Sequence, residues 1–340
     1  MWLAREENFT WLAGEGLLKA TFGGEIGFLV LGDALYLIHN DIHDDETLRR
    51  IAELTNAQLC GYVPNQPGSF EALLTDLTRQ RRIGTDGDQA FFQNNIDQLF
   101  AQQRLTLTPS EQGQYRTLCR DCASIVQDVA RTVRPGQAEK AIAAELAQRF
   151  YAAGIKPSLL LISADSGIRR FRHPAPGDNV VNRFAILIAA GTREGRHTAV
   201  TRIVAVDGLP PAFDERYRAA MQLNTACMNH SRPHCRLGDV AQERLAAYHA
   251  SDPTSDWRVR LRADVLDYLP RPVRSRVWRT QEVKPYQAVA WSTGINGIRI
   301  EDTFLVLPER NEILTSTENW PVIEVQHAGH TVFRADILRL

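Results

Sequence analysis

The run Tyr115–Gly154, YRTLCRDCASIVQDVARTVRPGQAEKAIAAELAQRFYAAG, decides the fold of this chain. Tyr115, Leu118, Cys119, Cys122, Ile125, Val126 and Val129 recur at helical spacing, which predicts an amphipathic helix over 110–133. Arg134-Pro135-Gly136 breaks it, because proline cannot continue a helical hydrogen-bond ladder. Gln137-Ala138-Glu139 then opens a second helix over 137–153, with acidic character at its positive end. Cys119 and Cys122 form a C-x-x-C, yet both lie on the apolar stripe, where a free thiol behaves as a small hydrophobe. No second Cys/His pair at zinc spacing accompanies them. The full set of five cysteines shows no disulfide framework.

Working outward, Ser158–Ser163, Asn182–Ala190 and His197–Val206 read as strands, the last two as a hairpin around Arg193-Glu194-Gly195. Helices over 213–229 and 238–250 follow. A strand-rich end comprises Trp257–Ala263, Tyr286–Ser292, Ile298–Leu307 and Val322–His327. Before the helical run, Phe28–Leu31 and Leu35–Ile38 flank Gly32-Asp33 as a hairpin, and Asp44–Leu54 and Phe70–Arg79 read as helices. Residues 101–112 are polar around Thr-Pro-Ser and read as a linker. Length agrees with two domains: 340 residues exceed the usual single-domain size.

Composition narrows the function classes. The chain is 44% hydrophobic and 23% charged with a net charge of −1, so no global field attracts nucleic acid or anionic lipid. No apolar run reaches the roughly 20 residues of a membrane helix. The opening shows no basic and apolar leader, which makes the cytoplasm the default location. Neither a P-loop, a GxGxxG nor a G-x-S-x-G occurs, and no cofactor is expected.

Several phrases resemble the creatinase/aminopeptidase P/prolidase family. They are the opening helical run with its Pro-Gly-x-x-Glu junction, FRHPAPGD (171–178), FAILIAAGTREGRHTAVTRIVAV (184–206), GIRIEDTFLV (297–306) and NFTWLAG (8–14). The resemblance implies an α+β chain. A creatinase-like N-terminal α/β domain over 1–107 precedes a pita-bread domain over 108–340, built on a curved antiparallel sheet. It also implies a homodimer, and an N-terminal domain that starts later than is usual in the family.

Family metallopeptidases hold two divalent ions with two Asp, one His and two Glu. Laid over this sequence, those positions fall on Ala189, Ala199, a residue near Leu261, Ser292 and Glu301. Alanine offers no donor atom, and one carboxylate cannot satisfy two ions that each need several ligands. A dinuclear metal site is therefore not expected.

What remains is His173, in the segment where creatinase carries its acid/base histidine. Imidazole suits that role because it titrates near neutrality. Glu301 is expected to orient His173 or to pair with Arg202 or Arg299. Arg202, Arg299 and Arg260 are the candidate ligand-binding cations. In a strand, Arg258, Arg260 and Arg262 would share one face, either as an anion site or as a solvated one. Three functions stay open. They are metal-independent hydrolysis or lysis of a small C–N compound with His173 as acid/base, non-catalytic binding of a small molecule or short peptide, and a metallopeptidase with a repositioned metal.

Overall fold

The computed structural model describes residues 1–14, 26–40, 46–87, 94–165, 175–251, 259–266, 268, 279–280 and 282–340. The chain divides into two compact units, the first spanning Met1–Arg104 and the second beginning at Leu105.

In the first unit, β1 (Trp2–Leu3), α1 (Glu6–Ala13), β2 (Gly27–Leu31), β3 (Ala34–Asn40), α2 (Glu46–Thr55) and β4 (Gln58–Tyr62) follow in order. After them come α3 (Ser69–Thr78), β5 (Gly84–Thr85), β6 (Asn94–Asn95) and α4 (Asp97–Arg104). The strands form one mixed sheet, β4-β3-β2-β1-β5-β6. Gly32 turns the expected β2–β3 hairpin with φ of 59°, a conformation glycine adopts without strain. Helix α1 has no side-chain cap of its own. Asp86 instead fixes the residues just before the helix, accepting from the amides of Ala4 at 2.9 Å and Arg5 at 3.0 Å.

The second unit contains α5 (Pro109–Thr132), α6 (Glu139–Ala152), β7 (Lys156–Ala164), β8 (Phe184–Arg193), β9 (Arg196–Ala205), α7 (Phe213–His230) and α8 (Leu237–Ser251). The strands β10 (Val259–Leu266), β11 (Ala288–Ile295), β12 (Ile298–Leu305), β13 (Glu312–Ile313), β14 (Val322–His327), β15 (His330–Ala335) and β16 (Leu338–Arg339) complete it. Two four-stranded sheets, β16-β9-β8-β7 and β10-β11-β12-β13, are accompanied by a separate β14–β15 hairpin. Pairing is antiparallel except between β16 and β9. The fold is α+β, as the family resemblance implied. Helix α5 packs on β8 and β9 and helix α6 on β7, through Leu118, Val126, Ile142, Leu146 and Phe150. Helix α7 packs on β11 and β12, and helix α8 on β10 and α7, through Met221, Leu237, Trp291 and Ile300.

The linker expected over 101–112 is corrected. Its first residues end α4, and its Thr-Pro-Ser begins α5. The Thr108 hydroxyl accepts from the Glu111 amide at 3.3 Å, and the Glu111 carboxylate accepts from the Thr108 amide at 2.8 Å. This is a capping box with Pro109 inside the first turn, so a turn-like phrase starts a helix.

Glu139 also does more than meet the α6 dipole. It is 2% exposed, and its carboxylate accepts from the amides of Ala164 at 2.8 Å and Gly177 at 3.0 Å. The first turn of α6 is thereby tied to the end of β7 and to the segment before β8.

The C-x-x-C thiols lie in the core. Cys119 and Cys122 are both fully buried, and burial pushes Cys119 up to about 12 and Cys122 higher still. Only a thiolate attacks an alkylating reagent, and at pH 8 a thiol of pKa near 12 is ionised on the order of one part in 10⁴. Iodoacetamide at pH 8 should therefore label the half-buried Cys60 and Cys235 in the native protein. It should reach Cys119 and Cys122 only after denaturation. Mass-spectrometric detection of native labelling at either buried position would contradict this.

Candidate functional site

The five positions inferred from the sequence converge on the β8–β9 hairpin and on the β10–β12 sheet. Cross-strand partners share a face of a sheet, and neighbours along a strand alternate. In the hairpin, Ala190 pairs with Ala199 and Ala189 pairs with Val200. Ala189 and Ala199, the positions on which the two family Asp fall, therefore lie on opposite faces. Ala189 packs among Leu118, Cys122 and Val126, whereas Ala190 and Ala199 sit with Tyr115, Cys119, Ala288 and Ala290. The facing pair is Ala190–Ala199. The signal was present in the sequence, since a two-residue Glu194-Gly195 turn fixes the register of every pair above it.

Register also fixes the second half. Arg262 pairs with Ser292, and Ser292 pairs with Glu301, so these three residues form a row on one face across β10, β11 and β12. The residue in line with Ser292 and Glu301 is thus Arg262, one position beyond Leu261. The adjacent row is Arg260, Gly294 and Arg299.

Charges on this face are paired along their own strands. Glu301 is fully buried, and its carboxylate receives Arg299 Nη2 at 3.1 Å. Arg299 Nε donates to Ser292 Oγ at 3.1 Å. Arg262 donates to Asp264 at 2.8 Å. Arg260 is exposed.

Arg202 lies elsewhere. Expected beside Glu301 or a ligand, it is instead committed to Asp302, which points to the other face of β12. Arg202 Nη1 reaches Asp302 Oδ1 at 2.9 Å, and Arg334 Nη2 reaches Oδ2 at 3.0 Å. The Thr315 hydroxyl adds a third donor at 2.8 Å. Arg334 also binds Thr225 and Asn224 of α7. Burial alone would raise the Asp302 carboxyl, but the two guanidinium groups outweigh it and hold the group below the usual carboxylate range. The adjoining cavity, lined by Thr201, Tyr217 and Asp336 among others, measures about 10 Å³, room for about one water.

His173 and Arg258 lie outside the described residues. The flanks of the His173 segment are tied down. Besides the Glu139 bonds, Asp165 accepts from the amides of Asn182 at 3.0 Å, Arg183 at 2.9 Å and Phe184 at 3.1 Å.

The family description "Metallopeptidase family M24" matches residues 113–308, more than half of the chain. The chain belongs to metallopeptidase family M24. Its fold is shared with solved M24-like structures at low identity. The Xaa-Pro dipeptidase from Bacillus anthracis superposes with a TM-score of 0.75 at 15% identity, covering 100% of this chain and 94% of that one. The X-Pro aminopeptidase from Thermotoga maritima MSB8 gives 0.75 at 15%, covering 100% and 97%. The prolidase from Pyrococcus furiosus gives 0.70 at 16%, covering 94% and 96%. No curated protein matches the chain. No helix among the described residues is long and apolar enough to cross a membrane.

The side chains of this M24 member do not fit the metal pair its family name implies. Ala190, Ala199, Arg262 and Ser292 supply no imidazole or carboxylate, and the carboxylate of Glu301 is held by Arg299. Among the described residues no group of three or more His, Cys, Asp or Glu could hold a metal ion.

Proposed function

We propose that this M24 chain binds a small molecule or short peptide on the β10–β12 face and performs no metal-dependent hydrolysis there. The reading rests on Arg299 holding the buried Glu301 carboxylate. A guanidinium neutralises a carboxylate as a cation would, through directed hydrogen bonds. A divalent ion added at Glu301 would meet that fixed positive charge and find no further anionic ligand in the row. The N-terminal unit is read as the creatinase-like domain.

Metal content tests this directly. Protein dialysed against manganese, cobalt or zinc should retain well under one equivalent by elemental analysis. Xaa-Pro dipeptides should not be cleaved at a rate that EDTA abolishes. About two metals per chain, with EDTA-sensitive cleavage, would overturn the proposal.

A second reading, metal-independent hydrolysis with His173 as acid/base and Glu301 as its orienting partner, draws on Glu139 and Asp165. Their carboxylates anchor the chain on both flanks of residues 166–174. A positioned acid/base needs such anchoring.

A further inference from the structure

The β14–β15 hairpin is fastened firmly at its open end. Arg334, opposite Ile323 in the register, reaches Asn224 and Thr225 of α7 and Asp302 of β12. Ile323, Val325 and His327 lie on one face of β14, because alternate residues of a strand share a face. Val325 is 7% exposed and belongs to the same core as Met221 of α7. At the turn end, where His327 pairs with His330 across Ala328-Gly329, the contact with α7 is histidine on histidine. His327 meets His230, the last residue of α7, with ring centroids 5.1 Å apart and an interplanar angle of 78°.

The surroundings of each ring are those of a ligand. His230 Nδ1 lies 2.8 Å from the Ala226 carbonyl oxygen, so in the neutral ring Nδ1 carries the proton and Nε2 keeps its lone pair. A backbone carbonyl on one ring nitrogen is how proteins orient an imidazole that binds metal through the other. His327 Nε2 is screened from solvent and meets no donor or acceptor among the described residues. A buried polar atom without a partner is costly unless something fills the position. Burial, then His230 and Arg244 of α8, hold the His327 pKa below its ordinary value, so near neutral pH that ring is uncharged. Arg244 is itself paired with Glu243 at 3.6 Å. With metal–nitrogen bonds of about 2.0 Å, two imidazoles on one ion have centroids roughly 4.5–5.2 Å apart, from a square to a tetrahedral angle. The observed spacing falls inside that range.

We infer that His230 and His327 form a two-imidazole clip for a divalent ion of the class that prefers imidazole, such as nickel, zinc or copper, with water completing the coordination. The clip shares no residue with the β10–β12 face, so it stands whether or not that face binds a ligand. An ion there fastens the turn end of the hairpin to α7 as Arg334 fastens the open end. Two protein ligands are half of a tetrahedral set, so the ion exchanges freely and leaves on dialysis.

Calorimetric titration of the full chain with nickel chloride tests this, since nickel leaves free thiols such as Cys235 unoxidised. One ion should bind per chain near neutral pH, and the melting temperature should rise with nickel. His230→Gln and His327→Gln should each weaken binding by about tenfold or more, at least the loss that follows when a ligand's orienting partner is removed. His234→Gln, at an exposed histidine four residues beyond His230, should bind like wild type. Wild type also carries a readout that needs no variant. Paramagnetic nickel should broaden the imidazole proton resonances of two of the nine histidines before the others, and EDTA should restore them. No binding to wild type, unchanged affinity in both variants, an equal loss in His234→Gln, or uniform broadening of all the histidines overturns the inference.

Discussion

Asp302→Ala should cost the second unit about 3–5 kcal/mol, the usual loss when one member of a buried ion pair is removed and its partner is left uncompensated. Here two partners are left. Arg202 is 2% exposed and Arg334 is 2% exposed, and Asp302 is the carboxylate both reach. The bonds tie β9, β12 and β15 together, and through Asn224 and Thr225 they reach α7. Urea unfolding of the variant at pH 7 measures the cost. A change under about 1 kcal/mol would show that the network adds little. The same carboxylate sets an acid limit. Its folded pKa lies below the unfolded value of about 3.9, so its contribution is fully present above that value. It is lost as pH falls through the lower, folded value. Wild type should therefore lose stability steeply below about pH 4, and Asp302→Ala should show a shallower acid loss from its lower starting point.

The second large effect concerns rate. On the reading that gives His173 acid/base work, His173→Ala should reduce turnover of a small C–N substrate by about 10²–10⁴-fold, the usual share of a positioned proton-transfer group. Unchanged turnover would place the chemistry elsewhere. Glu301→Gln serves as the companion. Because Glu301 is buried against Arg299, losing its charge should destabilise the unit by about 3–5 kcal/mol. Melts run beside the assays then separate a lost role from a lost fold. No turnover of any amide, guanidino compound or Xaa-Pro peptide by wild type would leave the binding reading alone.

Local physics made much of the fold readable. The stripe from Tyr115 to Val129 and the Pro135-Gly136 break locate α5 and α6 because helix periodicity and breakers act within a few residues. The Glu194-Gly195 and Gly32-Asp33 turns locate two hairpins for the same reason. Thr108 was misread because Thr-Pro-Ser serves a turn and a helix start equally well, and only Glu111 three residues later decides. The site was harder to read. The absence of ligands was legible in the side chains themselves, but the row of Arg262, Ser292 and Glu301 depends on strand register. The donors to Asp302 come from 100, 32 and 13 residues away, and no local pattern announces them. Of the two arginines offered as partners for Glu301, Arg299 reaches it and Arg202 reaches Asp302 instead.

The facing alanines on β8 and β9 make a metal centre hard to build at this place. A carboxylate at position 189 would enter the core beside Leu118 and Cys122, and one at Ala190 or Ala199, 3% and 2% exposed, would enter the core beside Tyr115 and Cys119. Either aspartate alone would be a buried charge with no ion to meet it, and such a charge costs several kcal/mol. A metal could repay that cost only after Arg262 and Ser292 had also become ligands and Arg299 had released Glu301. Each single step is thus disfavoured before the last one arrives. Single substitutions at these positions therefore cannot assemble a metal pair here.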